Sequence, residues 1–312
     1  MKAKNLRIVS RNSQLALQQA EFVRTQLQIL YPNLNITITG ITTTGDKILN
    51  KSLQKIGGKG LFTKELEQQL LNNNADIAVH SLKDIPFQLP NQLILAAILE
   101  RQSHYPYDAF ISNTYNSLEQ LPVEATIGTS SLRRSCQLLA VRPDLKILPL
   151  RGNINTRLDK LDQGNYDAII LAVAGLLRLN LESRITTVID SEIMLPAVGQ
   201  GALAIECHQD NSAIIELLKP LQHKISTQCI TAERSMNRAL GGSCHTPIAG
   251  HATYNAIANS IKLSGLVGSN DGSILLRATG TAAIEQAEDL GKAIAKQLQD
   301  QGADELIAAT KS

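Results

Sequence analysis

The chain has 312 residues, 43% of them hydrophobic but only 3% aromatic and none Trp, so its core must rest on Leu, Ile, Val and Ala in aliphatic α/β layers. That length exceeds what one hydrophobic core fills, and two or three domains are expected. Thirty Lys and Arg against 28 Asp and Glu leave a net charge of +2, which excludes global attraction to nucleic acid or an anionic membrane and makes any basic site a local one.

Residues 6–10 alternate as a short strand and run through Arg11-Asn12-Ser13 into the helical pattern Leu15, Leu17, Ala20, Val23, Leu27. Ser13 stands at the N-cap position. A strand feeding a helix in this way brings free N–H groups, a hydroxyl and a guanidinium together, which suits an anion; an ordinary capped helix with a solvated arginine has the same sequence. Residues 35–43 read as a second strand. A polar stretch follows with Lys47, Lys51, Lys55 and Lys59 and closes with Gly57-Gly58-Lys59-Gly60. Its length suits a lid or a disordered link, and its glycine spacing is not that of a Walker A loop. A helix over 61–71 sets Phe62, Leu66 and Leu70 on one face.

Residues 76–80 form a buried-type strand that ends in Ser81-Leu82-Lys83-Asp84-Ile85-Pro86, at the kind of strand end where α/β proteins place their chemistry. His80 reads as a hydrogen-bonded core histidine rather than a ligand. Strands at 93–99 and 108–112 flank a polar connector, 100–107, which reads as the crossing into a second domain. Residues 125–131 repeat the strand-to-helix design and set Arg133 and Arg134 in the first helical turn, where the macrodipole disfavours cations, so an anion is expected to offset them. A third junction carries Arg151 and Arg157, and the apolar strand at 166–174 is followed by Arg178. Six arginines at carboxyl ends of strands, Arg11 among them, point to a shared anion site, since a guanidinium meets a carboxylate in bidentate fashion.

Gln200, between Gly199 and Gly201, precedes a strand at 202–207 that returns to the first domain. Helices are expected over 212–218 and 227–240, and from Pro247 onward strands at 261–267 and 273–278 and a helix over 282–299 make a small α+β domain. At its entrance, Gly241-Gly242-Ser243-Cys244-His245-Thr246-Pro247 is a turn-forming loop that presents a thiol. By itself this stretch reads as a structural cysteine; the arginines and Asp84 turn the reading toward chemistry. A hydrolytic dyad of Cys244 with its neighbour His245 is disfavoured, because such partners meet through the fold. Cys136, Cys207 and Cys229 show no CxxC spacing with it, which argues against a disulfide framework and against zinc.

Seven ordered segments carry a resemblance: Arg11-Asn12-Ser13, Gly57 to Phe62, His80 to Pro86, Gly128 to Arg134, Arg151 to Arg157, Leu195 to Gly201 and the Cys244 loop. Through them the sequence resembles the hydroxymethylbilane synthase, or porphobilinogen deaminase, family over essentially its whole length. The resemblance implies an α/β fold of two periplasmic-binding-protein-like lobes with a small C-terminal α+β domain. The lobes would be residues 1–101 plus about 200–220, and 102–199; residues 221–312 would carry the cofactor cysteine. It implies a transferase of haem biosynthesis that deaminates porphobilinogen and joins four units head-to-tail on a dipyrromethane primer, releasing linear hydroxymethylbilane. Cys244 matches the thioether position and Asp84 the catalytic carboxylate. Ser13, Lys83, Asp84, Ser131, Arg133, Arg134, Arg151, Arg157 and Arg178 match cofactor-contacting positions; Arg11, Phe62 and Gln200 match substrate or cleft positions; Lys55 and Lys59 match a lid. A cytoplasmic monomer with no metal and no nucleic-acid or membrane partner is the expectation.

There are departures. Ser243 stands where the family has glycine, a strained arrangement if that position needs positive φ. Tyr107 stands where an arginine commonly precedes the Asp-Ala pair, in a longer connector. The alternative reading is a non-catalytic two-lobed polycarboxylate-binding protein, which explains the arginines but leaves the cysteine loop and the third domain idle.

Overall fold

The structure, a computed structural model, describes residues 5–47, 60–243 and 246–310; Lys55, Lys59 and Cys244 lie outside the described residues. In chain order the first elements are β1 (Asn5–Arg11), α1 (Gln14–Leu30), β2 (Asn35–Ile41), α2 (Thr44–Lys47), α3 (Lys64–Leu71), β3 (Ile77–Ser81) and β4 (Leu93–Ile98). Next come β5 (Asp108–Ile111), β6 (Thr126–Gly128), α4 (Leu132–Val141), β7 (Lys146–Leu148), α5 (Ile154–Asp162), β8 (Ala168–Ala172), α6 (Val173–Arg178) and β9 (Thr187–Ile189). The chain finishes with β10 (Leu203–His208), α7 (Ser212–Leu218), α8 (Lys224–Ala239), β11 (Ile248–Asn255), β12 (Ser260–Gly268), β13 (Leu275–Ala283), α9 (Ala287–Asp300) and α10 (Ala303–Ala309).

Two units result: Met1–Arg101 with Ala202–Thr227, and Gln102–Gly201 with Gln228–Ser312. The first is built on a five-stranded sheet in the order β2-β1-β3-β10-β4. β1 runs parallel to β2 and β3, while β10 is antiparallel to both of its neighbours. β3, β10 and β4 are mostly aliphatic, as strands covered on both faces are, while the edge strand β2 alternates Ile with polar residues. On one face Leu6, Ile8, Ile77 and Ile205 pack with Val23 and Leu27 of α1. On the other, Val9 and Ala78 pack with Leu66 and Leu70 of α3. Leu66 and Leu70 are on the helix face expected from their spacing, but Phe62, expected there too, lies in the turn before α3 and packs on Arg11 instead.

The second unit repeats the plan with a five-stranded sheet in the order β7-β6-β8-β5-β9. β6 is parallel to β7 and β8, and β5 is antiparallel to β8 and β9. In each sheet the antiparallel strand is the one the chain enters after a crossing, β5 after Arg101 and β10 after Gly201. The two sheets thus share one topology, each with its parallel strands ending on the same edge. A three-stranded antiparallel sheet, β11-β12-β13, completes the second unit, with Ile294 and Leu298 of α9 close against Gly265 of β12. β9, β11, α2 and α10 are additions to the elements expected from the sequence.

Candidate functional site

In the first unit the carboxyl ends of β1 and β3 lie side by side, which puts Arg11 and Ser13 next to Ser81 and Asp84. A pocket forms there, lined by Arg11, Ser13, Phe62, His80, Ser81 and Asp84 together with Gln19 and Thr63. Ser13 caps α1, its hydroxyl accepting from the Ala16 N–H at 3.3 Å. Arg11 is fixed from three sides. Asp46 takes its guanidinium in a two-point pair, with Nε to Oδ2 at 3.3 Å. The Phe62 ring lies under it at 4.4 Å from the ring centroid, and Asp84 Oδ2 stands 3.9 Å from Nη1. Burial works to raise the Asp46 carboxyl, but hydrogen bonding and the charge of Arg11, with Thr43 helping, outweigh it and hold Asp46 below the ordinary aspartate range. Asp84 keeps about a third of its side chain exposed, as a group that must meet a ligand would.

Asp84 is presented by a short 3-10 turn, Leu82–Asp84, which buries Leu82 and brings Lys83 and Asp84 out at the strand end. Ser81 exchanges hydrogen bonds with the Gln19 amide at 2.9 Å and 3.2 Å, tying β3 to α1. His80 is buried and its Nε2 lies 3.0 Å from Oε2 of Glu206 on β10. The core histidine expected from the sequence is thus hydrogen-bonded, and it also lines the pocket.

In the second unit the ends of β6, β7 and β8 lead to Ser131, Arg151 and α6 respectively. Arg133 and Arg134 occupy the first turn of α4 and are 5% and 6% exposed. The anion that offsets them is a residue of the chain. Asp108, fully buried at the start of β5, pairs with Arg133 and with Arg134, each at 2.7 Å. Arg134 also donates to the Ile170 carbonyl at 2.8 Å, and Arg133 to that of Leu195 at 2.9 Å. Burial pushes the Asp108 carboxyl up, but the two guanidiniums overcome it and hold it far below the carboxylate range. Gln200, expected at the ligand, is buried too. Its amide donates to Asp108 Oδ1 at 3.0 Å and to the Tyr107 carbonyl at 3.3 Å, bracing the start of β5.

Arg178 ends α6 and donates to the Gly201 carbonyl at 2.6 Å, with Tyr105 stacked 5.2 Å away. Burial lowers its pKa to about 10. Arg157 donates to the Gly152 carbonyl at 2.8 Å. Neither Arg151 nor Arg178 pairs with a carboxylate among the described residues. Gly152 sits at φ 115°, where a Cβ would also meet the Thr156 side chain, so this junction requires glycine.

The loop before Cys244 is tightly built. A Cβ on Gly242 would collide with Asn237 Oδ1 and Ile248, and Gly241 takes φ 60°. Ser243 donates its N–H to Thr246 Oγ1 at 2.8 Å, and that hydroxyl donates back to the Ser243 carbonyl at 2.7 Å. The left-handed non-glycine residues among those described are Asn73, Glu124, Asn180 and Asn259, so the strain considered for Ser243 does not arise. Among the described residues no group of three or more His, Cys, Asp or Glu side chains is placed to hold a metal ion, and no helix is long and apolar enough to cross a membrane.

Two lobes of one topology, with guanidinium and hydroxyl groups at the ends of their parallel strands, define a class of α/β protein suited to carboxylate-bearing ligands. A likeness in shape extends to a putative methionine-binding lipoprotein of Bacillus subtilis, with TM-score 0.44 and 14% identity over 70% of this chain and 90% of that one. The chain belongs to the porphobilinogen deaminase family. The family model described as "Porphobilinogen deaminase, dipyromethane cofactor binding domain" matches residues 6–216, and "Porphobilinogen deaminase, C-terminal domain" matches 227–300. The porphobilinogen deaminase of Neisseria meningitidis serogroup B is 53% identical over 99% of this chain and 98% of its own length. That of Laribacter hongkongensis is 52% identical over 99% of both.

Proposed function

We propose that the chain is a hydroxymethylbilane synthase, which condenses porphobilinogen with loss of ammonia and works in tetrapyrrole and haem biosynthesis. The observation that carries this is the family match, continuous over both lobes and the C-terminal domain, with relatives aligned from end to end. It disfavours the non-catalytic polycarboxylate-binding alternative, which gives the third domain no task.

The residues suit a dipyrromethane primer, which bears several carboxylates. Arg151 and Arg178 carry charge without a carboxylate partner among the described residues, and the cost of burying Arg178 is relieved by an anion. Arg151, Arg157, Arg178 and Lys83, with the Ser13 and Ser131 hydroxyls, would hold those carboxylates, and Cys244 would form the thioether. Arg133 and Arg134, anchored on Asp108, would supply positive potential from that wall. When bound, the primer supplies the nucleophilic carbon to which each new ring is joined.

The chain's own groups do the rest. Arg11, stacked on Phe62 and held by Asp46, grips a substrate carboxylate. Asp84 accepts the pyrrole N–H and stabilises the positive charge that develops on the ring as ammonia leaves, worth roughly 10²–10⁴ in rate for a well-placed proton-handling group. Gln200 braces Asp108, which holds the two arginines in place, and Lys55 and Lys59 match a lid in the family. The proposed division is residues 1–101 plus about 200–220, 102–199 and 221–312, in a cytoplasmic monomer with no nucleic-acid or membrane partner.

Incubation with porphobilinogen tests the reading. One ammonia released per porphobilinogen consumed, with a linear tetrapyrrole product, is expected. Binding of porphobilinogen without ammonia release would identify a binding protein instead.

A further inference from the structure

Behind the pocket of the first unit lies a group of acids that the proposed chemistry does not use. His80 on β3 reaches Glu206 on β10 at 3.0 Å, and both side chains are almost wholly enclosed. Glu67 on α3 packs behind them and is 8% exposed. One carboxyl oxygen of Glu206 and one of Glu67 have no hydrogen-bond partner. Burial, reinforced by the charge of Glu206, holds Glu67 above the ordinary glutamate range, against the opposing influence of Thr63 and His80.

The other titratable groups around this cluster are few. Glu65, on the same helix as Glu67, is turned to the Thr44 N–H at 2.7 Å, and burial with the Glu206 charge raises the neighbouring Cys207 thiol to about 11. Arg11 and Asp84 face His80 across the pocket, and Arg11 is committed to Asp46. Two enclosed carboxyls with unmet oxygens are a poor device for stability, because burying them costs more than one hydrogen bond returns. They are a good device for holding a proton next to a histidine that opens on a pocket.

We propose that Glu67, Glu206 and His80 form a proton-holding unit behind the Asp84 pocket, with His80 as the group that exchanges the proton with the pocket. The inference rests on the proposed deaminase function. Each condensation breaks one C–N and one C–H bond and forms one C–C bond. Ammonia leaves with the C–N electron pair, and a proton is lost from carbon as its C–H pair returns to the ring. His80 takes that proton on its imidazole, with Glu206 holding the ring and stabilising the imidazolium, and then gives it to the amine of the next porphobilinogen, whose nitrogen leaves as ammonia in the following round. Protons balance at every round, and the imidazole is restored.

The test uses the full-length protein as purified, with Glu206→Gln, which keeps the size of the side chain and removes its charge. The His80 imidazole, assigned through His80→Asn, is titrated by nitrogen NMR without substrate, and ammonia release is measured against pH. In Glu206→Gln both the titration midpoint and the acidic limb of the rate profile should move to lower pH by about one unit, because the imidazolium has lost its anion. If Glu206→Gln does not fold, His80→Asn serves: its acidic limb should disappear. A midpoint unmoved in Glu206→Gln, or an acidic limb at its wild-type position in His80→Asn, overturns the proposal and leaves the cluster structural. Wild-type protein that releases no ammonia from porphobilinogen at any pH overturns the functional reading instead, a failure distinguishable from an unmoved midpoint.

Discussion

Asp108 is the residue on which the second lobe's positive wall depends. Asp108→Asn keeps its shape and its contact with Gln200 but removes the charge between two guanidiniums that are 5% and 6% exposed. Both pairs are at 2.7 Å, and the carboxylate is fully enclosed, so solvent cannot compensate for its loss. Removing one partner from a buried pair costs about 3–5 kcal/mol, since the partner charges remain inside. The folded-state pKa of Asp108 is depressed. Its contribution is therefore present above the unfolded-state value of about 3.9 and is lost as pH falls through the lower folded value. Urea unfolding followed by circular dichroism should show Asp108→Asn less stable by about 3–5 kcal/mol at pH 7, with the gap narrowing progressively as pH drops below about 4. A gap below about 1 kcal/mol at pH 7, or one that does not change with pH, would refute this account of the wall.

Other substitutions address the first lobe and the loop. Asp84→Asn should keep the attached primer, seen by intact mass, while turnover falls roughly 10²-fold or more; near-normal turnover would remove Asp84 from the chemistry. Asp46→Asn frees Arg11 from its main anchor and should raise KM for porphobilinogen by about tenfold, equivalent to a lost charge-assisted hydrogen bond, with a smaller change in kcat. Gly242→Ala drives a methyl into Asn237 and Ile248, and should destabilise the protein by about 1–3 kcal/mol in thermal or urea unfolding.

Much of this architecture is legible in the chain because strand ends announce themselves. Aliphatic runs break at Arg11-Asn12-Ser13, at Ser81 to Pro86 and at Gly128 to Ser131, and each break is the end of a strand with a parallel neighbour in a mixed sheet. What stayed hidden are the partners of the site residues, because no local pattern links them. Asp46 lies 35 residues from Arg11, Asp108 lies 26 from Arg134, and Glu206 lies 126 from His80. The misplacement of two cations in the first turn of α4 did signal an anion, and the fold supplies it from within. β11 escaped notice because Gly250 and His251 interrupt its apolar alternation, and the glycine is needed where Met236 packs on the strand. β9 is only three residues long and, unlike β6 of the same length, leads into no helix whose start would mark its end.

The claim at the centre of this account is that Cys244 tethers a polycarboxylate primer rather than turning over as a nucleophile. Intact mass spectrometry of the purified protein tests it most directly. The account expects a mass above that of the sequence by two linked pyrrole units, with the excess absent in Cys244→Ser. An active protein at the bare sequence mass, or an excess that survives Cys244→Ser, would contradict it.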